Sequence, residues 1–264
     1  MSSDDTNPEA LLIDMGGVLY ERDDPIDGAA DTVAWLVAQD IPHRFLTNTT
    51  SRPRQGLVDK LARMGIEAEA DAILTPPVAA ATWLREQGAR RLALCVPDDT
   101  KAEFDGFTEA QRDVDAVVVG DLGDAWDFRR LNQAFQLLMS DRRPTLVALG
   151  MSRYFRAGDE LRLDTAPFVV ALSHASGVEP QVLGKPAAAF FQAGLDALGV
   201  DAEQALMIGD DLATDVGGAQ DAGIRGMLVR TGKYQGHDRS RDVTPHAVLD
   251  SFADLPRWWR ERAN

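Results

Sequence analysis

Ala10-Leu11-Leu12-Ile13-Asp14-Met15-Gly16-Gly17-Val18-Leu19 decides how the rest of the chain is read. Its first four residues are apolar without alternation, the mark of a strand buried on both faces. Asp14 ends that run, with two glycines following after Met15, so a carboxylate stands at a sheet edge beside free backbone N–H groups. Such a position suits a nucleophile or a ligand for a hard metal ion, and equally an ordinary turn aspartate.

Outward from this segment the chain alternates apolar runs with helical patterns. Ala30, Val33, Ala34 and Val37 follow at helical spacing, then the strand His43-Arg44-Phe45-Leu46-Thr47, then a helix marked by Leu57, Leu61 and Met64 and stopped at Gly65. Further strands are read at Leu92–Val96, Ala116–Val119, Leu146–Leu149, Ala205–Gly209 and Gly226–Val229, with helices near 77–87, 127–140 and 215–222. Strands alternating with helices give the α/β class with a parallel sheet. The middle of the chain holds enough material for a second, smaller α/β unit.

The 264 residues suit one or two domains, since single cores stop growing beyond roughly 250 residues. A net charge of −15 argues against nucleic acid and anionic membrane as partners, because both need a basic face. No apolar run approaches the roughly 20 residues that span a bilayer. The acidic start Met1–Thr6 lacks a signal-peptide layout, so a cytoplasmic location is expected. The single Cys95 leaves no internal disulfide and reads as a buried small hydrophobe, His174 as a structural or surface histidine, and Asp98-Asp99 as a turn. The paired tryptophans of Leu255–Arg260 read as a terminal helix docked on the body. Lysine is scarce, at Lys60, Lys101, Lys185 and Lys233, which makes each one worth inspecting.

Three more strand-end segments carry chemistry. Thr47-Asn48-Thr49-Thr50 offers a hydroxyl and an amide to a phosphate, or a helix N-cap at Thr50 or Ser51. Gly184-Lys185-Pro186 holds a compact positive charge at a helix start with Pro186 at its first position, or is a plain surface lysine. Gly209-Asp210-Asp211-Leu212-Ala213-Thr214-Asp215 places three carboxylates after a buried strand, which suits Mg2+ or an acidic helix N-cap.

Taken in order, Asp14, Thr47-Asn48, Lys185 and Asp210-Asp211-Asp215 resemble the four motifs of the haloacid dehalogenase superfamily of phosphotransferases. The long α/β insert between the second and third motifs resembles the type-two cap of its NagD-like branch. Leu11–Asp14, Gly17–Tyr20 and Thr47–Thr50 are most similar to the phospholysine/phosphohistidine/pyrophosphate phosphatase group. The resemblance covers residues 9 to 250. It implies a Rossmann-like core over 1–75 and 176–264 with a cap over 76–175. It also implies a Mg2+-dependent phosphohydrolase of small phosphorylated compounds, and a homodimer through the cap.

By that resemblance Asp14 attacks phosphorus and forms an aspartyl phosphate. The metal is held by Asp14, Asp210 and the Gly16 carbonyl. Thr47, Asn48 and Lys185 bind the transferring group, while Asp211 and Asp215 orient the metal's water or Lys185. One position departs from the family pattern. Most of its phosphatases carry a second aspartate two residues after the nucleophile, where this chain has Gly16 and the similar group tends to have serine. That residue's acid–base help is typically worth roughly 10²–10⁴-fold. Three outcomes are compatible with its loss: leaving groups that need little protonation, such as pyrophosphate or a phosphoramidate; a replacement acid at Asp23, Asp24 or in the cap; or a weak or inactive relative that binds phosphate ligands. A non-phosphatase hydrolase of the same superfamily is a further alternative, disfavoured because such caps insert directly after the first motif.

Overall fold

A computed structural model describes residues 7–234 and 243–262, and the segment Met1–Thr6 read above lies outside the described residues. The chain folds as two compact units. The first runs through Thr47, resumes over Arg54–Leu74, and takes everything from Lys185 onward; the second comprises Asn48–Pro53 and Thr75–Gly184. The sequence reading drew the insert over 76–175. In the structure the strand Pro180–Val182 pairs with Thr145–Ala148 and so continues the second unit's sheet.

The first unit is built on a six-stranded sheet in the order Ala247–Leu249, Arg225–Val229, Ala205–Gly209, Ala10–Asp14, His43–Leu46, Ile73–Leu74. Every neighbouring pair is parallel. All five residues of Ala10–Asp14 are buried, as expected for a central strand covered on both faces. Leu11 and Ile13 join the cluster formed by Val33, Leu36, Phe45, Leu206 and Ile208. Leu12 points the other way, where a side chain on Gly194 would come within 3.1 Å of it. Gly194 lies in the helix Ala188–Leu198, so its lack of a side chain lets that helix close on the sheet.

Several elements shift from the sequence reading. Helix Ala29–Ala38 buries Ala29, Thr32, Val33 and Leu36, while Val37 is exposed; the larger Leu36 takes the core-facing position. Pro186 does not open a helix, because Lys185 and Pro186 lie in a turn joined by a cis peptide bond and the helix starts at Ala188. Thr50 does not cap the helix that begins at Arg54. Its hydroxyl accepts from the Asp121 N–H at 3.0 Å instead. The tryptophans of the terminal helix Leu255–Arg262 pack on the main cluster, with Trp35 edge-on to Trp259 at 6.0 Å. No helix among the described residues is long and apolar enough to cross a membrane.

The second unit has a five-stranded parallel sheet in the order Pro180–Val182, Thr145–Ala148, Ala116–Val119, Arg91–Cys95, Thr108–Glu109. Asp127 caps the helix Phe128–Leu138 through the Arg130 N–H at 2.8 Å, and Thr75 caps Pro76–Glu86. Cys95 is half-buried against the apolar cluster and burial pushes its thiol up to about 11. His174 is exposed in the last turn of Thr165–Ser176, and Asp98-Asp99 open the 3-10 turn Asp98–Phe104.

One carboxylate fastens this unit. Asp115 accepts from the backbone N–H groups of Arg90 and Arg91, both at 2.8 Å, and from the Arg142 guanidinium. Burial pushes its carboxyl up, but the two N–H groups and Arg142 outweigh that and hold it at about 2, below the usual 3.8. A folded-state value below the unfolded one gives stability that is present above pH 3.8 and lost as pH falls toward 2. Replacing Asp115 by Ala removes its hydrogen bonds to the two N–H groups and to Arg142 and costs roughly 1–3 kcal/mol in all. Urea titrations at pH 7 and at pH 3 check this: the gap between wild type and Asp115→Ala narrows at the lower pH.

Candidate active site

The site forms where the strand order of the first sheet reverses. The central strand Ala10–Asp14 has Ala205–Gly209 on one side and His43–Leu46 on the other. Ligands of open parallel sheets bind at such a switch point, outside the carboxyl ends of the strands. Register pairs Ile13 with Ile208, so Asp14 is level with Gly209 and Asp210 follows one residue further along the adjacent strand.

Here Asp14, Lys185 and Asp215 form a buried knot. The Lys185 ammonium donates to Asp14 Oδ1 at 2.5 Å and lies 2.7 Å from Asp215 Oδ1, with the three side chains 9%, 3% and 2% exposed. Burial disfavours the ammonium, but Asp14 and Asp215 outweigh that and hold its pKa above the ordinary lysine value. Asp14 shows the opposite balance. Burial pushes its carboxyl up, Lys185 pulls it down, and Asp215 and Asp210 push it up again, to about 7. Asp210 is raised to about 6, mainly by burial.

Asp14, Asp210 and Asp215 each offer a carboxylate oxygen within 4.8 Å of the others. Asp210 Oδ1 is buried without a hydrogen-bond partner among the described residues. Three hard oxygen donors, an orphaned lone pair and an excess of negative charge fit a divalent cation of the Mg2+ type.

Glycines carry the backbone around these carboxylates. A side chain on Gly209 would begin 2.3 Å from Asp215 Cβ, which explains why a glycine precedes the aspartates. Asp210 is bracketed more tightly. A Cβ on Gly17 (φ +84) would lie 2.0 Å from Asp210 Oδ2, and one on Gly232 (φ +66) would lie 2.2 Å from the same atom. Asp211 accepts from the N–H groups of Ala213 and Thr214, at 3.1 and 2.9 Å, and so caps the π-helical turn Leu212–Gly217. Asp215 in turn accepts from the Asp211 N–H at 3.1 Å.

The structure thus brings together Asp14, Lys185, Asp210 and Asp215, while Asp211 caps the turn that follows. Thr47 is buried at the end of the neighbouring strand and its N–H donates to the Leu74 carbonyl at 3.2 Å. Asn48 starts the second unit, where it neighbours Gly184. Gly16 has open space where a side chain would project. Asp23 is 92% exposed and pairs with Lys60 at 3.3 Å.

Sequence reasoning missed the loop Thr231-Gly232-Lys233. The Thr231 hydroxyl donates to the Gly17 carbonyl at 2.5 Å, the Gly232 N–H to Glu21 Oε1 at 2.8 Å, and the Lys233 N–H to Asp210 Oδ2 at 2.7 Å. Its signal was present: a Thr-Gly-Lys one residue past the strand Arg225–Val229, which pairs with Ala205–Gly209, holding one of four lysines.

A parallel α/β sheet carrying a lysine-clamped carboxylate and an acidic trio at its switch point suits phosphoryl-transfer chemistry with a divalent cation. Residues 11–108 match the haloacid dehalogenase-like hydrolase model and residues 182–255 a second, HAD-hydrolase-like model. The phospholysine phosphohistidine inorganic pyrophosphate phosphatase of Homo sapiens is 38% identical over 248 residues, covering 92% of this chain and 90% of that protein. The p-nitrophenyl phosphatase structure from Archaeoglobus fulgidus is 25% identical with a TM-score of 0.88, over 96% of this chain and 99% of that one. NagD from E. coli K-12 shares the fold at 23% identity and a TM-score of 0.86, over 94% and 98% of the two chains. The chain belongs to the haloacid dehalogenase-like hydrolases, among their phosphatases.

The glycine bracket generates a prediction. Gly17→Ala places a methyl group on Asp210 at a positive φ, and is expected to destabilise the protein by more than about 1 kcal/mol. It also displaces a candidate metal-holding carboxylate, so Mg2+ affinity falls. Calorimetric titration with Mg2+ and a thermal melt measure the two effects separately.

Proposed function

We propose that this protein is a Mg2+-dependent phosphohydrolase working through an aspartyl phosphate on a small phosphorylated compound of the pyrophosphate or phosphoramidate class. The observation that carries the reading is the Asp14–Lys185–Asp215 knot beside Asp210 at the sheet's switch point. An Asp14 oxygen attacks phosphorus while the bond to the leaving group breaks and the leaving group takes the electron pair. Water then attacks the phosphorus of the aspartyl phosphate, releasing orthophosphate and restoring Asp14. Lys185 holds the phosphoryl oxygens with Thr47 and Asn48, and Asp215 keeps the lysine charged and aimed. Asp14, Asp210 and the Gly16 carbonyl would hold Mg2+, which supplies the positive charge that lets one anion approach another.

Substrate choice follows from Gly16. With no carboxyl at this position, the leaving group must depart without a proton from that site. A phosphate leaving pyrophosphate, or an amine already protonated on nitrogen, meets that requirement. The related human protein carries these substrates in its name. The second unit is proposed to serve as the type-two cap. A homodimer through it is supported by the exposed apolar side chains Tyr154, Leu161 and Leu163 of its hairpin. A cytoplasmic setting accords with the absence of any membrane-crossing helix among the described residues.

Asp14→Asn is expected to reduce phosphate release from pyrophosphate and p-nitrophenyl phosphate to background, and EDTA to do the same reversibly. Turnover by Asp14→Asn at the wild-type rate would sink the mechanism.

The vacancy at Gly16 also favours a second reading, a relative that binds phosphate compounds and turns them over slowly. The two readings separate on turnover of pyrophosphate by the wild type, and Gly16→Asp, whose Cβ would meet nothing within 4 Å, tests what a restored acid adds. A restored acid is expected to raise hydrolysis of an alkyl phosphate by about tenfold or more, within the range general acid–base catalysis supplies. Steady-state kinetics on glycerol phosphate against p-nitrophenyl phosphate gives the ratio.

A further inference from the structure

Lys185 is already committed: it is buried and paired with two carboxylates. The field it answers is larger. Asp14, Asp210 and Asp215 converge on this site, Asp211 follows Asp210 in the chain, and the lysines acting on Asp210 are Lys185 and Lys233. Lys233 feels all four of these aspartates. Yet its ammonium lies 3.7 Å from Asp211 Oδ2, beyond hydrogen-bond distance, and its side chain is 71% exposed. Pairs this long and exposed contribute little to stability. Its backbone, by contrast, is fixed. Its own N–H is tied to Asp210, and the two residues before it are tied to Glu21 and Gly17. The loop therefore holds the root of a flexible, uncommitted cation at the rim of the acidic site.

We propose that Lys233 is a substrate-contacting residue whose ammonium engages the departing end of a diphosphate substrate. This rests on the functional reading above and deepens it. The group two residues after Asp14 that would protonate a leaving oxygen is missing, because Gly16 has no side chain. Lys233 answers the same need by charge instead. The bond from the transferred phosphorus to the bridging oxygen breaks, the electron pair stays on the departing phosphate, and the ammonium beside it stabilises that charge without giving up a proton. A charged donor is roughly twice as effective in such a contact as a neutral one. The assignment also explains why this lysine is long and exposed where Lys185 is buried. The transferred phosphoryl group sits among carboxylates, and the departing one lies further toward solvent.

The test uses the full chain with Mg2+ and two probes, non-hydrolysable imidodiphosphate and orthophosphate, with binding measured calorimetrically. Lys233→Gln is expected to weaken imidodiphosphate binding by about tenfold or more, the size of one charge-assisted contact, and to change orthophosphate binding by less than about threefold. Lys233→Arg recovers most of the difference, and the melting temperatures of all three proteins agree within a few degrees. Equal losses for both probes, no loss for either, or no imidodiphosphate binding by the wild type overturns the assignment. Pyrophosphate hydrolysis is followed alongside. A wild type that binds imidodiphosphate with the expected Lys233 contrast and yet releases no phosphate overturns the functional reading while sustaining the contact.

Discussion

An ammonium buried between two carboxylates constrains everything else in the first unit. Lys185 lies 171 residues from Asp14 in sequence, and both must reach one dry point together with Asp215. Separating any member leaves an uncompensated buried charge, which typically costs about 3–5 kcal/mol. The knot is a weak source of net stability, because burying its charges offsets much of their attraction. It is instead a strong condition on geometry, and it forces the end of the first strand, the turn after Gly209 and the return from the second unit into one arrangement.

The sheet supplies what the knot consumes. Unbroken apolar strands at the centre, Ala10–Ile13 and Ala205–Ile208, bury their full length and fix the level at which Asp14 and Asp210 emerge. Burial then raises both carboxyls, so holding them ionised together calls for more positive charge than the lysines supply. The same low-dielectric surroundings that make the aspartates costly make any cation placed among them effective. A chain of net charge −15 handles a phosphate only by concentrating positive charge locally, and the site is arranged to receive it.

Much of this was legible in the letters. Ala10–Asp14, Ala116–Val119 and Ala205–Gly209 were read with their observed limits, because central parallel strands are apolar runs with sharp ends. The short outer strands were not. Ile73–Leu74 and Thr108–Glu109 have two residues each and carry no pattern. The helix Thr165–Ser176 mixes apolar residues around its circumference, with Val169 buried and Val170 exposed, so period gave no signal. Asp14, Lys185, Asp210 and Asp215 stood out because side chains that meet at strand ends are visible as motifs. The ties to Asp210 from Lys233 and to Glu21 from Gly232 use backbone N–H groups, which every residue but proline supplies and no letter records.

The glycines at the site divide into two kinds. Gly17 and Gly232 are closed by Asp210 and by their own positive φ, whereas Gly16 opens on empty space. Pyrimidine-ending glycine codons stand a single base change from aspartate codons. At Gly17 or Gly232 that change is a dead end for the lineage. At Gly16 the first side-chain atom would meet nothing within 4 Å, so from such a codon a carboxyl two residues after Asp14, and with it different leaving-group demands, is one base change away.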